Sequence, residues 1–277
     1  MSMHVKRILR REFLALWLGL FSAAVFAQAP DEYKPHVGQE GKDVVWVPTP
    51  QALVDKMLDM AQVTPRDFVI DLGAGDGRTV ITAAKRGARA HGIEYNGDMV
   101  ELAKRAAANE GVSERATFAK ADIFASDFSQ ATVITLFLLP SLNLKLRPTL
   151  LDLKPGTRIV SNTFTMGDWE ADETAGVQGD DGSYYNTALL WIVPAKVEGK
   201  WKLGQGVLTI KQHFQVLAGS LAGGAEPTII ERGRLRGDAI TFRAGAAQYS
   251  GRVSGDAMSG TVTSGGKSAK WSATRVP

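Results

Sequence analysis

Two patterns of apolar residues divide the chain into an earlier and a later part. From residue 44 to about residue 186, short continuous apolar runs alternate with segments whose apolar residues recur every three or four positions. Continuous runs are typical of strands buried on both faces, and the wider spacing is typical of helices packed on a sheet. Beyond about residue 186, short alternating stretches are broken by glycine. The chain is therefore predicted to have an α/β part followed by an all-β part.

The earlier part is predicted to form a Rossmann-like doubly wound α/β sheet in which strands alternate with helices. Residues 28–43 are polar and contain proline, so they are expected to form an extended arm before it. The first helix is expected to begin at Pro50 with Thr49 as its N-cap, because proline is favoured at the first helical position. The predicted strands cover residues 68–71, 89–94, 116–124, 131–139 and 157–161, and the later helices cover residues 79–86, 97–109 and 143–153.

The later part contains a repeated pattern that is typical of hairpins. Residues 233–240 and 251–258 both follow the order Gly-Arg-apolar-x-Gly-Asp-Ala-apolar, eighteen residues apart. Gly-Asp between alternating residues is a common hairpin turn. Residues 203–277 are therefore predicted to form a C-terminal antiparallel all-β domain, either a meander or a small barrel. Residues 188–196 and 199–202 are expected to supply the last antiparallel strands of the earlier sheet, so the first domain is predicted to span residues 44–202.

The first predicted strand runs into a glycine-rich turn, Gly73-Ala74-Gly75-Asp76-Gly77. Glycines leave room for a ligand against the main chain, and the next helix points its free N–H groups into the same space. Turn geometry alone often requires glycine, so this pattern is weak by itself. A dinucleotide site has the spacing G-x-G-x-x-G without negative charge beside the pyrophosphate, whereas this run carries Asp71 and Asp76. These carboxylates favour an ammonium, a sulfonium or a ribose.

Acidic residues also end the next two predicted strands. Glu94 lies nineteen residues after Gly75, and Asp122 lies near the end of the third strand. The carboxyl ends of parallel strands meet at one edge of the sheet, where ligands bind. At this spacing Glu94 is expected to accept both ribose hydroxyls of a nucleoside on the glycine turn. Asp122 is placed to accept an adenine amino group, with Ile123 packed on the ring, so the sequence predicts a nucleoside site.

The glycine turn and the strand-end acids together resemble those of a class I, seven-stranded S-adenosylmethionine-dependent methyltransferase. Further runs resemble bacterial relatives of the mitochondrial lysine methyltransferases that modify the adenine nucleotide translocase and the c subunit of ATP synthase. These runs are Val47-Pro48-Thr49-Pro50, the segment 71–78, Gly92-Ile93-Glu94-Tyr95-Asn96 and Leu138-Leu139-Pro140. The resemblance covers roughly residues 44–170 and does not extend into the C-terminal third.

The resemblance implies S-adenosylmethionine as the cofactor and a role for each matching position. Gly73, Gly75 and Gly77 would line its methionine and ribose parts, and Asp71 or Asp76 would lie near its amino group. The other implied contacts are the ribose hydroxyls for Glu94, the adenosine border for Tyr95 and Asn96, adenine for Asp122 and Ile123, and the methionine carboxylate for Thr49. Methyl transfer from a sulfonium is an in-line displacement, so alignment and desolvation supply most of the rate and no protein nucleophile is required.

Two segments are candidates for the acceptor side of the site. Leu139, Pro140 and Ser141 follow the fourth predicted strand. Asp168 and Trp169 follow the fifth, where a turn and a core residue are an equally good interpretation. The Asn/Asp-Pro-Pro-Tyr turn that selects amide or adenine nitrogens is absent, which disfavours base methylation. The expected reaction is N-methylation of a protein lysine or a small amine, and a lysine must arrive neutral, which a nearby acid or an apolar tunnel favours.

The first 27 residues are predicted to be an export signal. Basic residues within positions 6–11 precede an apolar run at 13–26, which closes on a small-residue site. The pair Arg10-Arg11, followed one residue later by Phe-Leu, resembles a twin-arginine signal, which carries folded proteins across the inner membrane. The protein is therefore expected to be periplasmic or secreted, without a stable membrane span after cleavage, and membrane-anchored if the signal is not cleaved.

Composition changes this picture only by exclusion. The 277-residue chain holds 32 basic and 29 acidic residues, of which residues 1–27 hold four and one, so 28 of each follow. The pI of about 9.0 thus reflects the export signal, and the rest of the chain has no surplus of positive charge that would predict nucleic-acid binding. Cysteine is absent and the histidines after the signal lack metal-site spacing, which disfavours disulfides, thiolate chemistry and histidine metal sites.

Two functions are consistent with the sequence. The first is an active methyltransferase whose partner is a protein or small-molecule methyl acceptor. Export would separate such an enzyme from the cytoplasmic supply of its cofactor. The second is therefore a catalytically silent nucleoside-binding domain, attached to a β-domain that docks on envelope components.

Overall fold

Strands and helices alternate at nearly the positions that the apolar pattern predicts. The computed structural model describes residues 33–178, 184–224 and 226–276, and the predicted export signal lies outside them. Lys34–Pro277 form one compact unit. Its helices are α1 (Gln51–Met60), α2 (Arg78–Lys85), α3 (Gly97–Asn109) and α4 (Pro140–Leu151). The strands of its first sheet are β1 (Phe68–Leu72), β2 (Arg89–Glu94), β3 (Ala116–Lys120), β4 (Val133–Leu136), β5 (Arg158–Asn162), β6 (Glu173–Gly176) and β7 (Thr187–Ile192).

The first sheet has the strand order β3-β2-β1-β4-β5-β7-β6. Strands β1 to β5 are parallel, and β7 pairs antiparallel with both β5 and β6. Alternate residues of a strand point to opposite faces. Val69 accordingly joins a core with α1, α2 and α3, while its neighbour Ile70 joins a second core with α4. The predicted doubly wound α/β fold is confirmed.

Three local expectations differ from the structure. Pro50 occupies the N-cap position of α1, and no side chain caps this helix; the Thr49 hydroxyl instead accepts a hydrogen bond from Asn162 Nδ2 at 3.3 Å. Helix α4 begins at Pro140, because the fixed φ of proline suits the first helical turn. Residues 38–46 fold back as a small hairpin instead of running extended, with Gly38 N donating to Trp46 O at 2.8 Å.

The second sheet is a closed antiparallel barrel, which confirms the predicted small all-β domain. Its strand order is β10-β11-β12-β13-β14-β15-β8-β9. These strands are β8 (Gly199–Leu203), β9 (Gly206–His213), β10 (Val216–Ala222), β11 (Thr228–Arg236), β12 (Ala239–Ala244), β13 (Ala247–Ser254), β14 (Ala257–Ser264) and β15 (Lys267–Arg275). Among the described residues, no helix is both long and apolar enough to cross a membrane.

Strand β8 corrects the expectation that residues 199–202 complete the first sheet. It pairs with β9 and β15, so it belongs to the barrel. Its alternation explains this placement, because Trp201 is fully buried in the barrel core while Lys200 and Lys202 face outward. The outer position of the first sheet is filled instead by β6, a short strand that the apolar pattern does not predict.

One end of the barrel packs on the first sheet. The ring of Phe214 stacks on Trp169 with centroids 5.9 Å apart. Arg234 pairs at 2.7 Å with Asp172, a carboxylate that also accepts a hydrogen bond from Ile192 N. The carbonyl of Gly237, in the β11–β12 turn, accepts a hydrogen bond from Ala195 N at 2.9 Å. Hydrogen bonds, an ion pair and ring stacking therefore join the two sheets.

The repeated Gly-Asp turns provide a matched test of this junction. Gly237 and Gly255 have positive φ angles of 63° and 57°. A Cβ at Gly237 would lie 2.9 Å from Gly156 Cα, whereas one at Gly255 meets nothing within 4 Å. Alanine at either site strains the turn by about 1 kcal/mol, and at Gly237 the clash adds roughly 1–3 kcal/mol. Thermal unfolding should show a larger loss for Gly237→Ala, and equal losses would mean that the junction yields without cost.

Candidate active site

A cleft of about 410 Å³ opens at the carboxyl ends of the parallel strands. This is the edge where open α/β sheets bind ligands. The glycine turn, the ends of β2 and β4, and the segment before α1 line the cleft. The predicted cofactor residues at its walls are Thr49, Asp71, Gly73, Gly75, Asp76, Glu94, Tyr95, Asn96, Asp122 and Ile123. Residues predicted from separate strands thus meet in one cleft.

Glu94 holds the glycine turn in place. Its Oε2 accepts a hydrogen bond from Gly75 N, and its Oε1 accepts one from Asn96 N, both at 2.9 Å. Asn96 in turn caps α3 by accepting a hydrogen bond from Asp98 N. Gly75 has a φ of 53°, in the left-handed region that favours glycine, so the turn can bend at this residue while its N–H bonds to Glu94. The carboxylate is therefore fixed at the cleft by two backbone donors.

Gly77 has a different role from the one expected. It is absent from the cleft wall and occupies the N-cap position of α2 with a φ of 82°. A Cβ at this position would lie 2.8 Å from both Ala103 Cβ and the Phe118 ring. Gly77 thus permits close packing of the turn against α3 and β3, and the expectation that it lines the cofactor is not supported.

Asp71 is buried at the base of the cleft. Its Oδ1 accepts a hydrogen bond from the Thr135 hydroxyl at 2.6 Å. Burial is the main cause that raises the pKa of the Asp71 carboxyl to about 7; the bond from Thr135 lowers this pKa, and the charges of Glu94 and Asp76 raise it. No cation of the described residues pairs with Asp71, so a positively charged ligand would supply the missing partner.

The change Asp71→Asn is expected to remove the part of the pH dependence of folding stability that comes from the Asp71 carboxyl. The unfolded carboxyl ionises near the ordinary aspartate pKa of 3.8, whereas the folded one keeps its proton until about pH 7. Between these values the folded state binds the extra proton, so wild-type stability falls as the pH rises. The wild type should lose about 4 kcal/mol relative to the variant between about pH 4 and pH 8. Thermal unfolding of both proteins across this range tests it, and a constant difference would contradict it.

Asp76 is held at the cleft by Arg78. The guanidinium donates to both Asp76 oxygens, at 3.0 Å and 3.1 Å from Nε, and to the Thr49 carbonyl at 2.9 Å. Arg78 was not predicted as a site residue, although it ends the run that carries the resemblance. It ties the glycine turn to the segment before α1 and leaves the Asp76 carboxylate partly neutralised.

The segment 38–49, which we call the strap, forms one wall of the cleft. Lys42 Nζ lies 2.6 Å from Asp122 Oδ2 and 5.0 Å from the Tyr95 ring centroid. The hydrogen bond between Lys42 and Asp122 lowers the pKa of the Asp122 carboxyl and raises that of the Lys42 ammonium. Asp122 Oδ1 accepts a hydrogen bond from Phe124 N at 2.9 Å. Both oxygens of Asp122 are therefore engaged.

Trp46 brings the strap over the glycine turn. A Cβ at Gly75 would lie 2.7 Å from the Trp46 Nε1 atom, so only glycine permits this close approach. Neither Trp46 nor Lys42 was predicted as a site residue. Lys42 lies in the polar segment 28–43, which was expected to run extended, and Trp46 lies in the apolar run that follows it.

Three half-buried aromatic rings line another wall of the cleft. The Tyr185 ring lies edge-on to Phe137 at 5.1 Å between centroids and 5.8 Å from Phe164, and Phe137 and Phe164 stack at 6.0 Å. Phe137 follows β4, Phe164 lies just beyond β5, and Tyr185 precedes β7. Because β4, β5 and β7 are neighbours, their ends bring the rings together. We call these residues the aromatic triad.

Of the predicted acceptor residues, only Leu139 lines the cleft. Leu139 lines the cleft and is 43% exposed, whereas Pro140 and Ser141 form the start of α4 and are absent from the wall. Trp169 is completely buried in the second core. Asp168 pairs with Arg147 beside the barrel residue His213. The turn and the core residue are therefore the better interpretation of Asp168 and Trp169, and neither contacts the cleft.

The walls of the cleft fit S-adenosylmethionine, which joins two positive charges, a ribose diol and an adenine. The chain supplies carboxylates at Asp71, Asp76, Glu94 and Asp122, and an apolar side chain at Ile123. The volume lies within the range of small-molecule sites. The buried carboxyl of Asp71 is the strongest indication of a cationic ligand, since it pairs with no cation of the described residues and a bound cation would favour its charged form.

Comparisons with known proteins agree with this fit. The family model of the ANTKMT methyltransferase domain matches residues 71–173. The protein-lysine N-methyltransferase of Saccharolobus islandicus is 41% identical over 164 residues, covering 58% of this chain and 96% of the archaeal protein. The rat lysine N-methyltransferase of the ATP synthase c-subunit is 33% identical over 132 residues, covering 47% of this chain and 61% of the rat protein.

Among solved structures, an RNA methyltransferase from Salinibacter ruber in complex with S-adenosyl-L-homocysteine is 45% identical. Its TM-score is 0.51, and the match covers 55% of this chain and 96% of that one. The C-terminal all-β region is not recognised in these comparisons.

The strand order, the glycine turn and the strand-end acids define a class I S-adenosylmethionine-dependent methyltransferase. Within that class, the chain belongs to the protein-lysine N-methyltransferase family. The resemblance, the enzyme class and the cofactor expected from the sequence are confirmed.

Proposed function

We propose that this enzyme transfers a methyl group to the Nζ atom of a lysine in a protein. The aromatic triad is the observation that carries this proposal. Burial beside the rings removes water from a lysine side chain, which favours the neutral amine that can react. The ring faces then stabilise the positive charge that develops on the nitrogen as the methyl group is transferred. The half-buried rings of Phe137, Phe164 and Tyr185 offer such a surface at the cleft wall. The names of the archaeal and rat relatives, both lysine N-methyltransferases, support the same acceptor.

The cofactor side follows from the carboxylates. We propose that Glu94 accepts the ribose hydroxyls, because its carboxylate is already fixed at the turn by Gly75 N and Asn96 N. Asp71 would face the positively charged part of the cofactor, since it is buried and pairs with no cation among the described residues. Asp122 and Ile123 would hold the adenine once Lys42 leaves the carboxylate.

The chemistry asks little of the protein beyond alignment. When bound, S-adenosylmethionine supplies a methyl group on a positively charged sulfur. A carbon–nitrogen bond forms to the acceptor as the carbon–sulfur bond breaks, and the nitrogen then releases a proton. This chain's residues orient the amine through the aromatic triad and exclude water with the strap. No side chain of the protein needs to form a covalent bond.

The proposal is tested with radiolabelled S-adenosylmethionine and three acceptors: a lysine-rich protein, a small primary amine and RNA. Labelled protein with methyl-lysine in its hydrolysate is expected. Label on the small amine alone would move the acceptor to small molecules, and label on RNA alone would favour the reaction in the name of the Salinibacter relative. Calorimetry measures the heat of binding of S-adenosylhomocysteine to the protein. Binding without methyl transfer would indicate a silent binding domain, and the absence of binding would indicate a protein that does not use this cofactor.

The predicted export has its own test. We propose that residues 1–27 direct the folded enzyme out of the cytoplasm, on the strength of the twin-arginine pattern at Arg10 and Arg11. Residues 1–35 fused to a reporter that must fold before export should carry it across. Export that survives the double change Arg10→Lys and Arg11→Lys would contradict this route.

A further inference from the structure

One wall of the barrel carries positive charge only. The adjacent strands β14, β15, β8, β9 and β10 contain no acidic residue. Their exposed basic residues are Lys200, Lys202, Lys211, Lys267 and Lys270, which we call the lysine wall. Arg275, at the end of β15, belongs to the fold instead, because it bonds to Asp256 and to the Lys196 and Glu198 carbonyls.

The charges of the lysine wall are not compensated within the protein. The residues paired with these lysines on the neighbouring strands carry no charge. They are Thr209 for Lys200, Val207 and Thr274 for Lys202, Ala218 for Lys211, Ser264 for Lys267 and Thr261 for Lys270. None of the five forms an ion pair with another residue that the structure describes. A barrel surface that serves solubility alone usually mixes both signs, since opposite charges across strands stabilise each other.

The charge balance of the whole chain conceals this asymmetry. Residues 199–276 hold eleven basic and four acidic residues, whereas residues 33–198 hold seventeen and twenty-two. On β11, Arg234 and Arg236 pair with Asp172 and Glu173 of the methyltransferase domain. In the order of the closed barrel, β15 is the strand farthest from β11. Lys267 and Lys270 on β15 therefore lie away from this contact, and all five lysines of the wall are exposed.

The side chains of the lysine wall select among anionic partners. The tryptophans of these strands, Trp201 and Trp271, are 0% and 7% exposed, so neither offers a face on which a base can stack. The exposed ring that these strands do carry, His213, lies at the end of β9 against the Phe214 ring. Lysine offers a point charge on a flexible stem, in contrast to the planar fork that makes arginine effective on nucleic acid. Val207 adds an apolar side chain, 37% exposed, opposite Lys202. Phosphate groups that are spaced apart at the edge of an apolar layer match these spaced charges and this apolar side chain.

We propose that the lysine wall docks the protein on a membrane surface rich in anionic phospholipid headgroups. Each lysine near such a surface adds attraction, and the attraction is screened by salt. This inference depends on the barrel alone and is independent of which acceptor the enzyme methylates.

Co-sedimentation with vesicles tests the proposal. Residues 34–277 form a compact unit with its own cores, so this unit is used without the basic N-terminal segment. The vesicles contain phosphatidylcholine, either alone or with about one third phosphatidylglycerol. Binding to the anionic vesicles only, weakened by salt, is expected. The triple change Lys200→Gln, Lys202→Gln and Lys270→Gln should weaken it about tenfold or more.

A second triple variant controls for net charge. Lys104→Gln, Arg105→Gln and Lys154→Gln remove the same charge from exposed positions of the methyltransferase domain and should leave vesicle binding within about twofold of wild type. Lysine-to-arginine changes at the three barrel positions should retain binding, which guards against a folding defect. Equal losses in both glutamine variants, or no preference for anionic vesicles, would overturn the proposal. Stronger binding to duplex or single-stranded DNA than to the vesicles at the same salt would replace the membrane with nucleic acid.

Discussion

Replacing Glu94 by alanine should abolish most of the affinity for S-adenosylmethionine. Two hydrogen bonds from ribose hydroxyls to a carboxylate are worth about 1.5–3 kcal/mol each, so affinity should fall roughly a hundredfold or more. The change also frees Gly75 N and Asn96 N, the donors that now fix the carboxylate at the turn. Calorimetry with S-adenosylmethionine measures the loss, and thermal unfolding shows whether the turn remains folded.

Two variants calibrate that result. Glu94→Gln keeps the shape and one acceptor oxygen, and we expect it to lose about tenfold in affinity because the charge is gone. Glu114→Ala removes an exposed carboxylate just after α3 and should bind the cofactor like the wild type. If Glu94→Ala binds within twofold of the wild type, the assignment of Glu94 to the ribose is wrong.

Tyr185→Ala should separate acceptor use from cofactor binding. Removing one ring of the aromatic triad takes away a desolvated cation–π contact worth about 2 kcal/mol. The kcat/KM for a lysine acceptor should therefore fall roughly thirtyfold, while the Kd for S-adenosylmethionine stays within about twofold. Phe137→Ala should act in the same direction, since its ring contacts Tyr185 at 5.1 Å.

The chain offers a close control in the preceding residue. Tyr184 is 92% exposed, so Tyr184→Ala should leave both constants unchanged. Tyr185→Phe keeps the ring and should retain most of the activity. A loss in cofactor affinity as large as the loss in kcat/KM would show that Tyr185 supports the fold of the cleft and does not recognise the acceptor.

The residues that line the cleft at the ends of the first strands were largely predictable, because their positions depend on local order along the chain. Asp71, Glu94 and Asp122 each end or follow a strand whose apolar run is visible in the sequence. Parallel pairing then brings strand ends to one edge whatever the details of the helices. Gly77 shows the limit of this reasoning: its turn position is visible, but its close contact with Phe118 depends on how α3 packs.

The aromatic triad, which we propose as the acceptor side, was not predictable in the same way. Phe137 and Tyr185 are 48 residues apart, and they meet only because β7 inserts beside β5 in the antiparallel sense. No local pattern specifies that insertion. Trp169 illustrates the same limit: the sequence left a site residue and a core residue open, and the contact with Phe214 of the barrel decides for the core. A single sequence does not indicate which distant strands pair, so contacts that depend on such pairing cannot be predicted from it.

The strap has a consequence for how cofactor affinity should be understood. We propose that Asp122 accepts the adenine amino group only after Lys42 leaves its oxygen, so the molecules competent to bind are those in which this pair is broken. The apparent dissociation constant then equals the intrinsic one divided by the fraction of open molecules. Because both partners of the pair are partly exposed, that fraction depends on ionic strength. Salt should therefore strengthen cofactor binding at this step, opposite to its effect on a simple ionic contact between enzyme and ligand.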